Sequence, residues 1–189
     1  MAAGQELVAA GTVGLVGAAR IARAMDKAVR ERFPAWFVHE AQALDAGLLS
    51  LEFEDFKAYG ATECQLVAEG GIMAALWNLT GAYGLGMEAE LRSIPIRQET
   101  VEICELADVN PYRLWSGGCY LLAASGGWDL ARRLLKDGIP AAVIGRVTAD
   151  RKRIVRNGET ETFLDRPQPD EIYTIIENFG TGPGAAGVQ

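Results

Sequence analysis

Glu69, Gly70 and Gly71 stand where a predicted strand gives way to a predicted helix. Glycines at a turn of this kind let a ligand come close to the backbone, and the first turn of the helix offers unpaired amides at the positive end of the helix dipole. Phosphate is the ligand that such a turn suits best. A glycine pair can also serve only to make the turn, so the sequence leaves a ligand-binding role and a purely structural role open.

A second glycine turn, Ser116-Gly117-Gly118, directly precedes the apolar segment Cys119–Ala124. Neither turn belongs to a nucleotide-binding motif of known spacing, because the chain contains no GxxxxGK[ST] and no GxGxxG. We take the two turns together as the candidate phosphate or ligand site. Its residues are Glu69, Gly70, Gly71, Ile72, Ser116, Gly117 and Gly118.

Nucleophiles and metal ligands are scarce in this sequence. Cys64, Cys104 and Cys119 lack the CxxC spacing of a zinc or redox site, and His39 is the only imidazole. Burial as reduced thiols is the expected state of these cysteines. We therefore predict no metal site and assign no catalytic residue. A third hypothesis is a stand-alone enzyme with an unrelated site, for example near Cys119 or His39.

The composition is that of an acidic globular protein. The 189 residues are 49% hydrophobic and carry a net charge of −7 at pH 7. A chain of this length favours one domain, and its acidity argues against nucleic-acid binding. No apolar run approaches the roughly 20 residues that span a bilayer, and the first residues do not resemble a secretory signal. We expect a cytoplasmic protein without nucleic-acid or membrane partners.

Strand-like and helix-like segments alternate after Gly60, which predicts an α/β fold with helices packed on a sheet. Asn157-Gly158 predicts a hairpin, and the hairpin makes the sheet mixed. The predicted strands are Ala61–Ala68, Met87–Leu91, Cys119–Ala124, Ala141–Val147, Arg153–Arg156 and Glu159–Phe163. The helices predicted after Gly60 are Ile72–Tyr83, Gln98–Ala107, Trp128–Lys136 and a short one over Glu171–Phe179.

Before Gly60 the apolar spacing predicts helices, the first with one apolar stripe from Leu15 to Phe33. A basic stripe on the same helix is either a ridge that faces an anion or a solvated face. It consists of Arg20, Arg23, Lys27 and Arg30. We divide the chain into a flexible start (1–11), one domain (12–165), a short helical tail (166–179) and a disordered tail (180–189).

Three ordered segments resemble a known family: Ala61–Ala82, Ile94–Gly118 and Ala141–Thr148. They are similar to the C-terminal domain of the AIR synthase (PurM)-related superfamily, where AIR is aminoimidazole ribonucleotide. Within it they most resemble the hydrogenase maturation factors of the HypE type. The resemblance covers about residues 11–165. It implies a three-layer α/β/α domain with a mixed sheet and a ferredoxin-like core.

The resemblance also implies different roles for two domains, because members of the family are ATP-dependent enzymes with an N-terminal and a C-terminal domain. Nucleotide and magnesium bind mainly to the N-terminal domain, and the C-terminal domain closes over it with a glycine-rich turn, here Glu69-Gly70-Gly71. This chain is expected to begin near the domain junction. The family's His-Asp-x-Thr falls on Gln65–Ala68, and the chain has no C-terminal cysteine to carry a carbamoyl group. ATP and magnesium are therefore implied only through a separate N-terminal-type domain.

These departures favour a non-catalytic binding or assembly module, because the polar residues before the glycine turn are replaced. The alternative is the C-terminal half of a split ATP-dependent synthetase or maturation enzyme, which acts with a separate nucleotide-binding chain. In relatives this domain packs against an N-terminal domain, so we expect uncovered apolar surface here. A surface of that kind predicts a homo-oligomer or a complex with the nucleotide-binding chain.

Overall fold

A seven-stranded mixed sheet organises the protein, and the computed structural model describes residues 1–179. The strand order is β2-β4-β1-β5-β3-β6-β7. All neighbouring strands are antiparallel except β3 and β6, which are parallel. The strands are β1 (Glu6–Ala10), β2 (Glu63–Leu66), β3 (Gly86–Glu90), β4 (Tyr120–Ala124), β5 (Ala141–Thr148), β6 (Arg153–Asn157) and β7 (Thr160–Phe163).

Helices fill the connections between the strands, and short 3-10 turns lie at Leu91–Ser93 and Pro111–Arg113. The α-helices are α1 (Leu15–Ala24), α2 (Asp26–Arg32), α3 (Ala35–Gln42), α4 (Phe53–Ala58), α5 (Gly71–Ala82), α6 (Gln98–Ala107), α7 (Gly127–Lys136) and α8 (Ile172–Phe179). The predicted α/β class is confirmed. Within residues 1–179 no helix has both the length and the apolar character that a membrane span requires.

Both faces of the sheet carry helices, because successive strand residues point to opposite sides. In β1, Leu7 and Ala9 belong to a core that includes α5. Val8 and Ala10 belong to the opposite core, which includes α4 and α7. The domain therefore has the expected three layers, with the sheet in the middle.

A further group of helices packs around α1, which contacts α3, α6 and α8. Gly17 allows α1 to lie close to the segment 111–118, because a Cβ at this position would overlap the Leu114 side chain. The predicted single helix from Leu15 to Phe33 is divided in two. Met25 leaves the helical conformation, with φ −97° and ψ 27°, and so separates α1 from α2.

The expectation of a flexible start over residues 1–11 is wrong, since residues 6–10 form β1 in the interior of the sheet. Leu7, Val8, Ala9 and Ala10 are completely buried. A strand that is covered on both faces shows a short apolar run without polar alternation. In a run of five residues after a small-residue start, that pattern did not distinguish the strand from an unstructured terminus.

The elements after Gly60 agree closely with the sequence prediction. Residues 98–107 form α6 with the predicted bounds, and the Asn157-Gly158 hairpin joins β6 to β7. Gly158 has φ +64°, the left-handed conformation that this turn requires. In the segment 166–179 the helix begins only at Ile172. The tail predicted for 180–189 lies outside the described residues.

The position of β1 can be tested by Leu7→Ala. This change deletes a fully buried side chain and should lower the free energy of unfolding by about 2–5 kcal/mol. Leu66→Ala removes the same atoms from β2 at the sheet edge, where Leu66 is 50% exposed, and should cost less than about 1 kcal/mol. Urea unfolding followed by tryptophan fluorescence measures both, and equal losses would contradict an interior β1.

Candidate functional site

The first glycine turn joins the end of β2 to the start of α5. Gly70 and Gly71 have φ values of +75° and +64°, where only glycine is free of strain. A Cβ at Gly71 would also overlap the backbone carbonyl of Tyr112. The turn therefore needs glycine for its own geometry and for the close approach of the segment 111–114, whether or not a ligand binds.

Two backbone amides at the start of α5 have no acceptor within the protein, although their residues are buried: Ile72 is 0% and Met73 is 7% exposed. The Gly71 amide donates to the carbonyl of Ala68 at 3.1 Å. Over the described part of the chain, by contrast, no acceptor meets the amides of Ile72 and Met73. Unpaired amides of this kind, together with the helix dipole, attract anions. The amides of Ile72 and Met73 thus suit an anion by their chemistry, but in this structure the two residues are covered.

The amide of Gly70 is already bound by a carboxylate from the far end of the chain. Asp170 accepts this hydrogen bond through Oδ2 at 2.9 Å, and its Oδ1 accepts from the amide of Ile172 at 3.1 Å. Asp170 is only 3% exposed. Burial raises its pKa and the charge of Glu69 adds to this rise, whereas hydrogen bonds from backbone groups oppose it. The chain thus places an anion of its own at the glycine turn.

Residues 165–173, which we call the strap, cross the start of α5. Tyr173 donates from Oη to Glu69 Oε1 at 2.6 Å, and this hydrogen bond raises the pKa of Tyr173. The Glu69 carboxylate is therefore paired at its surface position. The strap, Gly70 and Arg113 enclose a cavity of about 140 Å³. Nucleotide sites commonly measure about 300–1,000 Å³, so this cavity is too small for a nucleotide.

The second turn lies beside the first, because the Gly117 amide donates to the carbonyl of Val67 at 3.1 Å. Ser116 is completely buried, and its Oγ accepts from the amide of Gly14 at 2.9 Å. The same hydroxyl donates to the carbonyl of Leu114 at 3.2 Å. The structure therefore brings the two predicted turns together, but the Ser116 side chain is used to hold the start of α1.

The segment before the glycine turn offers no polar side chain at Leu66 and Ala68, the positions where the resemblance implies an aspartate and a threonine. Leu66 is 50% exposed and Ala68 is exposed as well, while Val67 between them is completely buried. An exposed leucine can neither accept a hydrogen bond nor hold a cation. The two outward-facing positions thus offer no polar group, and the buried Val67 packs in the core.

The cysteines and the histidine do not form a catalytic group. Cys119 and Cys104 are buried, Cys64 is half-buried, and His39 lies exposed on α3. Burial raises the pKa of all three thiols, to about 12 for Cys104 and Cys119 and about 11 for Cys64. In the described residues no three His, Cys, Asp or Glu side chains come together in a way that could hold a metal ion.

The basic stripe of α1 and α2 is largely occupied by partners within the protein. Arg23 forms an ion pair with Asp45 at 2.6 Å. The Arg20 guanidinium lies 4.3 Å from the ring centre of Trp115. Further along the stripe, Arg30 pairs with Asp26 and Lys27 lies near Glu31. These contacts favour the interpretation of the stripe as a solvated face.

Sequence reasoning missed Asp170 as a member of the site. The signal that could have identified it is local, because an aspartate directly before the apolar spacing of a helix is typical of a helix N-cap. Its pairing with Gly70, a hundred residues away, has no counterpart in the sequence pattern. Only the fold shows that one carboxylate serves the first turns of both α5 and α8.

Comparison with known proteins identifies the same domain. Residues 2–157 match the family described as AIR synthase related protein, C-terminal domain. The chain is 28% identical over 103 residues to carbamoyl dehydratase HypE of Rhodobacter capsulatus. This match covers 52% of the chain and 30% of that protein.

Solved structures of low sequence identity share the fold. HypE of E. coli, a hydrogenase maturation protein, superposes with a TM-score of 0.67 at 21% identity, over 93% of this chain and 53% of that one. HypE in a complex with HypF superposes with a TM-score of 0.64 at 15% identity, over 88% of this chain and 54% of the other. The chain therefore spans about half the length of these solved relatives.

A thiol titration tests the assignment of the cysteines. Raised pKa values leave little thiolate near neutral pH, and thiolate is the reactive form. We expect no rapid reaction of the native protein with a chromogenic disulfide reagent, and reaction of all three thiols in denaturant. Rapid modification of Cys119 in the native protein would contradict the assignment and favour a stand-alone enzyme.

Proposed function

Because the chain belongs to the AIR synthase related family, as its C-terminal domain, we propose that it is a non-catalytic binding or assembly module of the HypE-like branch. In this proposal the module has no cofactor of its own. Any ATP and magnesium would be supplied through a separate domain of the N-terminal type. The fold of the family is complete without them, since the sheet and its helices form three continuous cores.

The observation that supports this proposal is the contrast between backbone and side chains at the glycine turn. The amides of Ile72 and Met73 have no partner within the described residues, whereas Leu66 and Ala68 offer nothing that could bind a metal or move a proton. An anion held by backbone groups alone should bind weakly. We expect a dissociation constant in the millimolar range, which corresponds to about −4 kcal/mol.

The alternative is the C-terminal half of a split ATP-dependent enzyme that acts with a separate nucleotide-binding chain. The superposition covers 93% of this chain and 53% of E. coli HypE, and under this alternative another chain would supply the counterpart of the remaining half. The relative solved with HypF also indicates that proteins of this type form complexes with other chains. Under this alternative the glycine turn would face the phosphates of a nucleotide bound to the partner.

An assembly role also calls for a contact surface, and we propose that a second copy of this chain covers one on α7. Trp128 is 71% exposed and Leu135 is 55% exposed. The two residues lie about two helical turns apart on one face of α7, beside Ala131 and Val143 in an open groove. Large apolar side chains that cluster at a surface are typical of protein contacts.

ATP turnover and amide NMR test the binding role. We expect no ATP hydrolysis above the buffer blank, and shifts of the Ile72 and Met73 amides at tens of millimolar phosphate. The start of α7 provides a comparison, because its Gly127 amide donates to Glu6 Oε2 at 3.0 Å much as the Gly70 amide donates to Asp170, so equal shifts at both helices would contradict a specific site at α5. ATP hydrolysis by the purified chain would contradict the proposal. Turnover that appears only with an added N-terminal-type chain would favour the split enzyme.

Light scattering at micromolar concentration tests the proposed self-association. We expect a dimer or larger assembly for the native chain and a monomer for Trp128→Glu, because the charge would be buried in the contact. Trp36→Glu is the matched control, since Trp36 is 65% exposed on α3 away from the groove. A native monomer, or equal effects of the two substitutions, would contradict the assignment of this surface.

A further inference from the structure

We propose that a second copy of this chain packs face to face on the open half of the sheet, which β5, β3, β6 and β7 form. In this dimer the two-fold axis lies in the plane between the copies and runs along the strands, between β3 and β6. The inference rests on the self-association proposed for α7 and deepens it, because it states how the second copy is placed. Its basis is the order of four charged side chains across these strands.

The face of the sheet that carries α7 is only half covered in the described part of the chain. There α7 packs on β1, β4 and β5, and the apolar core beneath it contains no residue of β3, β6 or β7. An open recess of about 680 Å³ lies beside α7, with Trp128 at its border. Strand residues alternate between the two faces. Met87 and Val155 therefore belong to the core with α5, whereas Glu88 and Arg156 line the recess.

Four charged side chains form a ladder across this open face, one on each strand. They are Arg146 on β5, Glu88 on β3, Arg156 on β6 and Glu161 on β7. Arg146 and Arg156 approach Glu88 at 3.0 and 3.4 Å. Arg156 also forms an ion pair with Glu161 at 3.0 Å. The charges thus alternate in sign from β5 to β7, and together they have no net charge.

An alternating ladder with an even number of charges is complementary to its own reversed copy. With the two-fold axis between β3 and β6, Arg146 of one copy lies over Glu161 of the other, and Glu88 lies over Arg156. An axis along the ladder would instead place each charge over its own copy, and like-charge contacts across an interface cost several kcal/mol. The order of the charges therefore selects one arrangement. It keeps the strands of the two sheets aligned, as is common when two sheets pack about 10 Å apart.

The same arrangement covers large apolar side chains at the border of the face. Phe163 is 69% exposed on β7, and it lies two residues from Glu161 and hence on the same face. In the dimer, β7 of one copy lies over β5 of the other, beside Trp128, which is 71% exposed. Trp128 of each copy would then be buried against Phe163 of the other. These aromatic contacts supply the apolar burial, and the charges set the orientation.

The open face and the groove on α7 form one continuous surface, because Trp128 and Val143 line both recesses. Four strands about 4.8 Å apart and about five residues long present roughly 300 Å². Specific interfaces bury about 800 Å² on each partner. The open face is thus too small for a stable dimer by itself, and the dimer requires the contact on α7 as well.

A charge exchange between Arg146 and Glu161 tests this arrangement, with the dimer of the full chain measured by sedimentation equilibrium. Arg146→Glu places a glutamate over Glu161 of the other copy, and Glu161→Lys places a lysine over Arg146. Each variant alone should raise the dissociation constant of the dimer at least about tenfold, since every dimer contains two such like-charge contacts. An equimolar mixture of the two variants should associate nearly as tightly as the native chain, because both contacts then join opposite charges.

Recovery in the mixture reports contact between chains rather than the folding of either chain. Arg146 and Glu161 stand three strand spacings apart, about 14 Å, and are too distant to pair within one chain. Their side chains are 66% and 51% exposed, so the substitutions leave the core intact. Arg30→Glu is the matched control, because it makes the same charge change at a 58% exposed side chain on α2. The control should dimerise like the native chain.

The outcomes distinguish this inference from the proposal on which it rests. If Trp128→Glu abolishes the dimer but neither charge variant weakens it, the contact on α7 stands and the face-to-face packing is wrong. If both charge variants are weakened and their mixture does not recover, Arg146 does not face Glu161 and the inference is also overturned. If the native chain is a monomer, both proposals fail, and the open face is left to an occupant other than a second copy.

Discussion

The sheet depends on β1, which pairs with β4 on one side and with β5 on the other. Without it the strands β2-β4 would have no connection to β5-β3-β6-β7. The residues that follow β1 connect it to the candidate site. The Gly14 amide binds Ser116 Oγ at the start of α1, and the segment before Ser116 lies against Gly71. The turn that seemed to belong to β2 and α5 is therefore also shaped by β1.

Close packing accounts for Gly71, which belongs to the candidate ligand site, and for two glycines outside that site. Added Cβ atoms at Gly11 and Gly17 would overlap the Gly118 carbonyl and the Leu114 side chain. The same is true of Gly71 against the Tyr112 carbonyl. These contacts join β1, α1 and the segment 111–118 at van der Waals distance. Glycine at a turn is thus required by the packing of neighbouring segments as much as by any ligand.

The sequence could predict the elements whose signal is local. The hairpin at Asn157-Gly158 and the bounds of α6 follow from turn chemistry and from helical spacing. It could not predict β1, because a strand covered on both faces has no alternation to recognise. It also could not predict the contact between Asp170 and Gly70, which the fold creates between distant segments. The glycine turn was therefore identified from the sequence, whereas Asp170, which accepts a hydrogen bond from it, was not.

The apolar residues before the glycine turn and the glycines of the turn have a common physical explanation. Leu66 and Ala68 point outward and contribute little to the core, so replacing polar residues there costs little stability. Gly71 is enclosed by backbone, and any side chain would force the segment 111–114 away. The glycines would persist in this fold even without a ligand, so their presence alone is no evidence of binding. Evidence for a ligand must come from groups that packing does not use, and at this site those are the amides of Ile72 and Met73.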